Sequence, residues 1–132
     1  MLPRENKIMS DKIEKAVNNH KNFYPCSAAV MCAFCEDAGM DEKTARAAAM
    51  PFAGGKMGKC GAVLAAEYIL DKKFGSRSDE LKQRFEEEFS GMNSSLMCAE
   101  LKGRSTGKPL RSCRGCVTDA AEILDHILES TE

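Results

Sequence analysis

Charge of one sign is in no excess in this sequence: 19 Lys and Arg face 20 Asp and Glu, for a net charge of −1. No basic field is therefore available to hold a nucleic-acid backbone. A bilayer-length apolar run is missing too. The uncharged stretch from Pro25 to Cys35 is too short for a span, and the opening Met-Leu-Pro-Arg-Glu-Asn-Lys lacks the apolar core of a signal peptide. The expectation is a cytoplasmic protein without membrane insertion. Low-complexity and collagen-like patterns are absent, and 43% hydrophobic with 30% charged residues is the composition of a folded globular protein. At 14.4 kDa, residues 1–132 suit a single domain that buries about two-thirds of its unfolded surface without disulfides.

No sustained apolar/polar alternation marks a strand, whereas almost every segment carries helical period, so the fold class is all-α. Ser10 caps a helix from about Asp11 to Asn22, whose stripe is Ile13, Ala16, Val17 and His20. Pro25 opens a second helix that runs to Gly39, and Asp41 caps a short third one stopped by Pro51. A Gly-rich loop, Gly54 to Lys59, leads into the Cys60 helix, which ends near Gly75. Ser78 caps a helix with Leu81, Phe85 and Phe89 on one face, closed by Gly91, with Glu86, Glu87 and Glu88 as its solvated side. A short helix from about Ser94 to Leu101 carries Cys98, and Gly103 to Pro109 reads as a flexible loop. Ser112 caps the last helix, with Cys116, Val117, Ala120, Leu124, Ile127 and Leu128 facing inward. Six or seven short helices of this kind form a compact bundle.

What the sequence does hold is cysteine, seven in all: Cys26, Cys32, Cys35, Cys60, Cys98, Cys113 and Cys116. An odd number in a reducing compartment points to metal binding, redox chemistry or burial rather than a disulfide framework. Cys26, Cys60 and Cys113 fall in first helical turns, where free amides and the helix dipole favour a thiolate. The dipole supplies only about 0.3–1 kcal/mol, so neighbouring cations must help, and Lys59 beside Cys60 and Arg111 and Arg114 around Cys113 are placed to do so. Cys32 and Cys35, mid-helix, point roughly 120° and 180° away from Cys26 at about 100° per residue.

Other chemistries fail on spacing. The pairs Cys32-x-x-Cys35 and Cys113-x-x-Cys116 lie too far apart for a zinc ribbon, and the βαβ setting of a thioredoxin motif is missing. Cys113 and Cys116 still form a candidate local redox couple. The Gly54–Cys60 loop is one residue short of a P-loop, with Cys60 where Ser or Thr would bind magnesium. His20 reads as an interior or interface residue and His126 as an outer one; neither has a triad partner for a cysteine hydrolase.

The run Cys26-Ser-Ala-Ala-Val, then Gly-Gly-x-x-Gly-x-Cys60-Gly-Ala, then Cys98, then Cys113-x-x-x-Val-x-x-Ala-Ala resembles the C_GCAxxG_C_C family, which carries a redox-active label. The resemblance covers nearly the whole chain. It implies Cys26, Cys60, Cys98 and Cys113 as the defining set, with Cys116 where the family has an aliphatic residue and Ala65 where its motif has glycine. The expected site brings these four together, either to exchange disulfides as an oxidoreductase or to carry electrons on an iron–sulfur cluster. Cys60 is then the low-pKa attacker, resolved by Cys113 or Cys98. Its partner would be a redox protein or a small thiol, and a homo-oligomer stays open. The alternatives are four thiolates holding structural zinc, and a helical interaction protein whose cysteines only fill its core.

Overall fold

The computed structural model describes residues 11–55, 57–103 and 107–131, so Ser10 and part of the Gly103–Pro109 loop lie outside the described residues. The fold is all-α, as expected: α1 (Asp11–Lys21), α2 (Cys26–Ala33), α3 (Glu42–Ala49), α4 (Gly61–Phe74), α5 (Ser78–Asn93), α6 (Cys98–Leu101) and α7 (Cys113–Ser130). No described residue belongs to a β-strand beyond one isolated bridge, Lys59 to Met97. No helix among the described residues is long and apolar enough to cross a membrane.

The core is organised around α2. All eight of its residues, Cys-Ser-Ala-Ala-Val-Met-Cys-Ala, are buried, and a helix apolar on every side must be surrounded. Helices α1, α3, α4 and α7 pack around it. Its small side chains let those neighbours approach closely, and Ser27 satisfies its hydroxyl by donating to the Ala49 carbonyl at 2.9 Å. Helix α7 supplies an amphipathic stripe of Val117, Ala120, Leu124 and Ile127, all fully buried. Ser112 caps it, accepting from the Gly115 amide at 2.9 Å, and Asp41 caps α3 through the Thr44 amide at 2.8 Å.

Three boundaries differ from the sequence reading, each for a tertiary reason. Helix α2 ends at Ala33 rather than Gly39, and Cys35–Ala38 tightens into a 3₁₀ turn. That turn brings Asp37 between α1 and the end of α4, where its carboxylate meets Lys12 at 2.6 Å and Lys73 at 3.6 Å. Helix α5 runs through Gly91 to Asn93, because the Asn93 amide is anchored on Asp119 of α7 at 3.2 Å. The helix expected from Ser94 shrinks to Cys98–Leu101, since the residues before it pair with the Gly-rich loop: the Cys60 amide donates to the Leu96 carbonyl at 2.8 Å and the Cys98 amide to the Gly58 carbonyl at 3.0 Å. Ser78 begins α5 but does not cap it; its hydroxyl donates to Asp71 at 2.6 Å.

One polar group sits uneasily in the core. Glu67 on α4 is buried, and its Oε2 has no hydrogen-bond partner among the described residues, while Oε1 lies 3.7 Å from Lys59 Nζ. Burial, reinforced by the neighbouring Glu86 carboxylate, pushes the Glu67 carboxyl up to about 8. The folded state therefore holds a proton that the unfolded chain releases near pH 4.5. Stability contributed by this site is full below that pH and is lost as pH rises toward 8. Urea midpoints measured from pH 5 to 8 should fall for the native chain, and Glu67→Gln should flatten that fall; an unchanged slope in the variant contradicts this assignment.

Candidate functional site

Four helices begin at a cysteine or directly after one. Cys26, Cys98 and Cys113 are the first residues of α2, α6 and α7, and Cys60 is the N-cap of α4. Pro25, with φ −56°, delivers Cys26 into α2, and Ser112 delivers Cys113 into α7. The pairing of the Gly58–Cys60 segment with Leu96–Cys98 ties the starts of α4 and α6 side by side. All four cysteines thereby line one cavity, joined there by Cys116, Leu101, Lys102 and Arg111. The cavity is about 10 Å³, space for roughly one water molecule.

The sulfurs differ in access. Cys26, Cys60, Cys98 and Cys116 are 7%, 4%, 6% and 3% exposed, whereas Cys113 is half-buried. Cys26 stands in hydrogen-bond contact with Cys113 and with Cys60, and Cys60 in turn with Cys116. No disulfide joins any of the seven cysteines.

This network decides where negative charge resides. The Cys60 thiol is pushed far up, first by its hydrogen bond to Cys116, then by that to Cys26 and by burial. The Cys113 thiol is raised by its contact with Cys26 and by burial. Cys116 moves the other way: the Cys60 thiol donates to its sulfur and lowers its pKa, against its own burial and the Asp119 carboxylate, with a smaller contribution from Arg111. Cys60 had been expected to be the low-pKa sulfur; its proton instead stabilises a charge on Cys116.

The cations expected to activate Cys60 and Cys113 are engaged elsewhere. Lys59 Nζ pairs with Glu86 and Glu67, so Glu86 is not simply a solvated acid. Arg111 grips Asp119 with two hydrogen bonds, 2.9 and 3.1 Å, and Asp119 is buried. Arg114 Nε donates to His20 Nδ1 at 3.3 Å, and burial together with Arg114 lowers the His20 pKa. His126 is exposed on α7. Lys102 is the cation that favours the charged form of Cys113.

Cys32 and Cys35 lie outside the cavity. Cys32 donates to the Glu42 carbonyl at 3.7 Å, and burial pushes it up to about 11 and Cys35 upward too. A larger surface hollow of about 570 Å³, lined by Asp11, Lys12, Asp37, Lys73 and Asp125 among others, contains no cysteine. Its lysines already pair with Asp37.

Among the described residues, no three His, Cys, Asp or Glu side chains are arranged to hold a metal ion. With room for roughly one water molecule between the sulfurs, the donor set as arranged leaves no space for an iron–sulfur cluster.

Cys116 lines the cavity although the resemblance leaves it outside the defining four; the sequence reading offered it only as a local redox couple with Cys113. The available signal was its i,i+3 spacing from Cys113 in a first turn, which puts both on neighbouring faces of α7.

Close packing depends on Gly61. A Cβ there would stand 2.8 Å from Cys26 Sγ and 2.8 Å from the Phe52 carbonyl. Gly61→Ala should lower stability by about 1–3 kcal/mol through overpacking and speed alkylation of Cys26. Denaturant midpoints and mass-resolved thiol labelling check both, and an unperturbed variant contradicts the packing argument.

No curated protein and no solved structure shows significant similarity to the chain. The C_GCAxxG_C_C family, described as "Putative redox-active protein (C_GCAxxG_C_C)", matches residues 24–127, a span that contains all seven cysteines and the five that line the cavity. The chain belongs to the C_GCAxxG_C_C family.

Proposed function

We propose that the protein is a thiol–disulfide exchange protein whose site is formed by Cys26, Cys60, Cys98 and Cys113, with Cys113 as the sulfur that meets substrate. The observation that carries this reading is the convergence of the four on one cavity too small for a cluster, with only Cys113 half-exposed. The contact between Cys113 and Cys26 supplies the resolving partner.

In the reducing direction, the Cys113 thiolate attacks one sulfur of a disulfide RSSR. A Cys113–S–R bond forms, and RS⁻ leaves and takes up a proton. Cys26 then attacks the Cys113 sulfur, forming the Cys26–Cys113 disulfide and expelling the second RS⁻, which takes up the proton lost by Cys26. Two electrons pass from the two cysteines to RSSR. We take residues 1–132 as one domain serving this site in the cytoplasm, with a redox protein or small thiol as partner.

Because the Cys113 thiol is raised, little of it is ionised near neutrality, and its reactivity should climb about tenfold per pH unit between pH 7 and 9. A plateau below pH 8 contradicts this. Oxidised glutathione added to the reduced protein should give a glutathione adduct at Cys113 followed by a Cys26–Cys113 disulfide. Cys113→Ser should abolish both, and Cys32→Ser should leave both intact. Absence of any disulfide among the cavity cysteines of the native chain overturns the reading.

A further inference from the structure

Cys116 belongs to the cavity without belonging to the family's four-cysteine set. The sulfur contacts run in a line from the half-exposed end to the buried one: Cys113 to Cys26, Cys26 to Cys60, Cys60 to Cys116. A line of four neighbours pairs without remainder in one way, as Cys113–Cys26 and Cys60–Cys116. A disulfide between the middle two would leave the ends, Cys113 and Cys116, without adjacent partners in the line. We propose that Cys116 completes a four-sulfur relay that stores a second disulfide at Cys60–Cys116, so that one chain reduces two disulfides rather than one. The proposal rests on the thiol–disulfide reading above and extends it to the capacity of the site.

The relay balances at each step. After the first RSSR has been reduced, the disulfide lies at Cys26–Cys113. Cys60 attacks the Cys26 sulfur, the Cys26–Cys113 bond breaks, and Cys113 leaves as a thiolate that takes up the proton given up by Cys60. Cys116 then attacks the Cys60 sulfur and displaces Cys26, which leaves as a thiolate and takes up the proton given up by Cys116. No electrons enter or leave during these two exchanges. The disulfide has moved inward to Cys60–Cys116, and Cys113 with Cys26 is again a dithiol whose half-exposed member is Cys113. A second RSSR oxidises it, for an overall transfer of four electrons and release of four RSH.

The environment of Cys116 favours its place at the end of the line. Its sulfur accepts from the Cys60 thiol, which lowers its pKa and favours the final attack. The Arg111–Asp119 clamp fixes that guanidinium beside it, an arrangement that needs Gly115: a Cβ there would lie 2.6 Å from Arg111 Cζ. Asn93 donates to Asp119 from the end of α5 and holds the clamp from behind.

The test is to treat the fully reduced chain anaerobically with excess oxidised glutathione, follow glutathione release, and map the disulfides by mass spectrometry. The relay predicts release of about four glutathione molecules per chain in two phases and a Cys60–Cys116 disulfide. Cys116→Val, which installs an aliphatic side chain of the kind the family carries there, should stop at about two while keeping the first phase. Retention of that phase shows that the variant is folded. Release of about two molecules from the native chain, with Cys26–Cys113 as its sole disulfide, overturns the relay and leaves the preceding reading standing. Release of none, with no cavity disulfide, overturns both.

Discussion

The start of α4 lies against the start of α2 because residue 61 has no side chain, and the arrangement of the cysteines depends on that approach. Cys26 Sγ and the Phe52 carbonyl occupy the space a Cβ would need. The contact fixes Cys26 beside Cys60, and from that pair the network extends outward to Cys113 and inward to Cys116. The small side chains of α2 serve the same end, since a helix of Cys, Ser and Ala permits four neighbours to approach closely.

Electrostatics around the cavity follow from scarcity. Two of the cations near the cavity are committed to carboxylates, Lys59 to Glu86 and Glu67 and Arg111 to Asp119, and Lys102 acts on Cys113. The thiols therefore stabilise one another, one donating to the next, and the thiol whose pKa is lowered is Cys116, which accepts from Cys60. Burial raises Cys60 and Cys113 because a charged sulfur in a dry cavity lacks water to solvate it. The helix starts contribute their dipoles, but at about 0.3–1 kcal/mol each these cannot outweigh the desolvation of a buried thiolate.

Much of this was legible before any coordinates. Pro25, Asp41 and Ser112 mark helix starts by local chemistry, and the stripes on α5 and α7 identify their buried faces, so the all-α class and the first-turn positions of Cys26, Cys60 and Cys113 could be read directly. Cys98 was harder, because its helix is a single turn whose start is set by pairing with Gly58, forty residues away in sequence. Cys116 was misjudged because it resembles core filler on an amphipathic stripe, and its distinction lies in touching Cys60. The roles of Lys59, Arg111 and Arg114 were misread for a related reason: sequence adjacency suggests that a cation serves the neighbouring cysteine, but the acceptor is chosen by the fold.

The central claim is that the cavity thiols form one hydrogen-bonded network in which the Cys60 thiol lowers the pKa of Cys116. The ultraviolet thiolate absorbance of the reduced protein, titrated from acid to alkaline pH and compared with that of Cys60→Ala, tests it most directly. The account predicts a step below the ordinary thiol value of about 8.5 in the native chain, moved upward when the Cys60 donor is removed. Thiols that all titrate at or above the ordinary value, or a low step unaffected by Cys60→Ala, would contradict it.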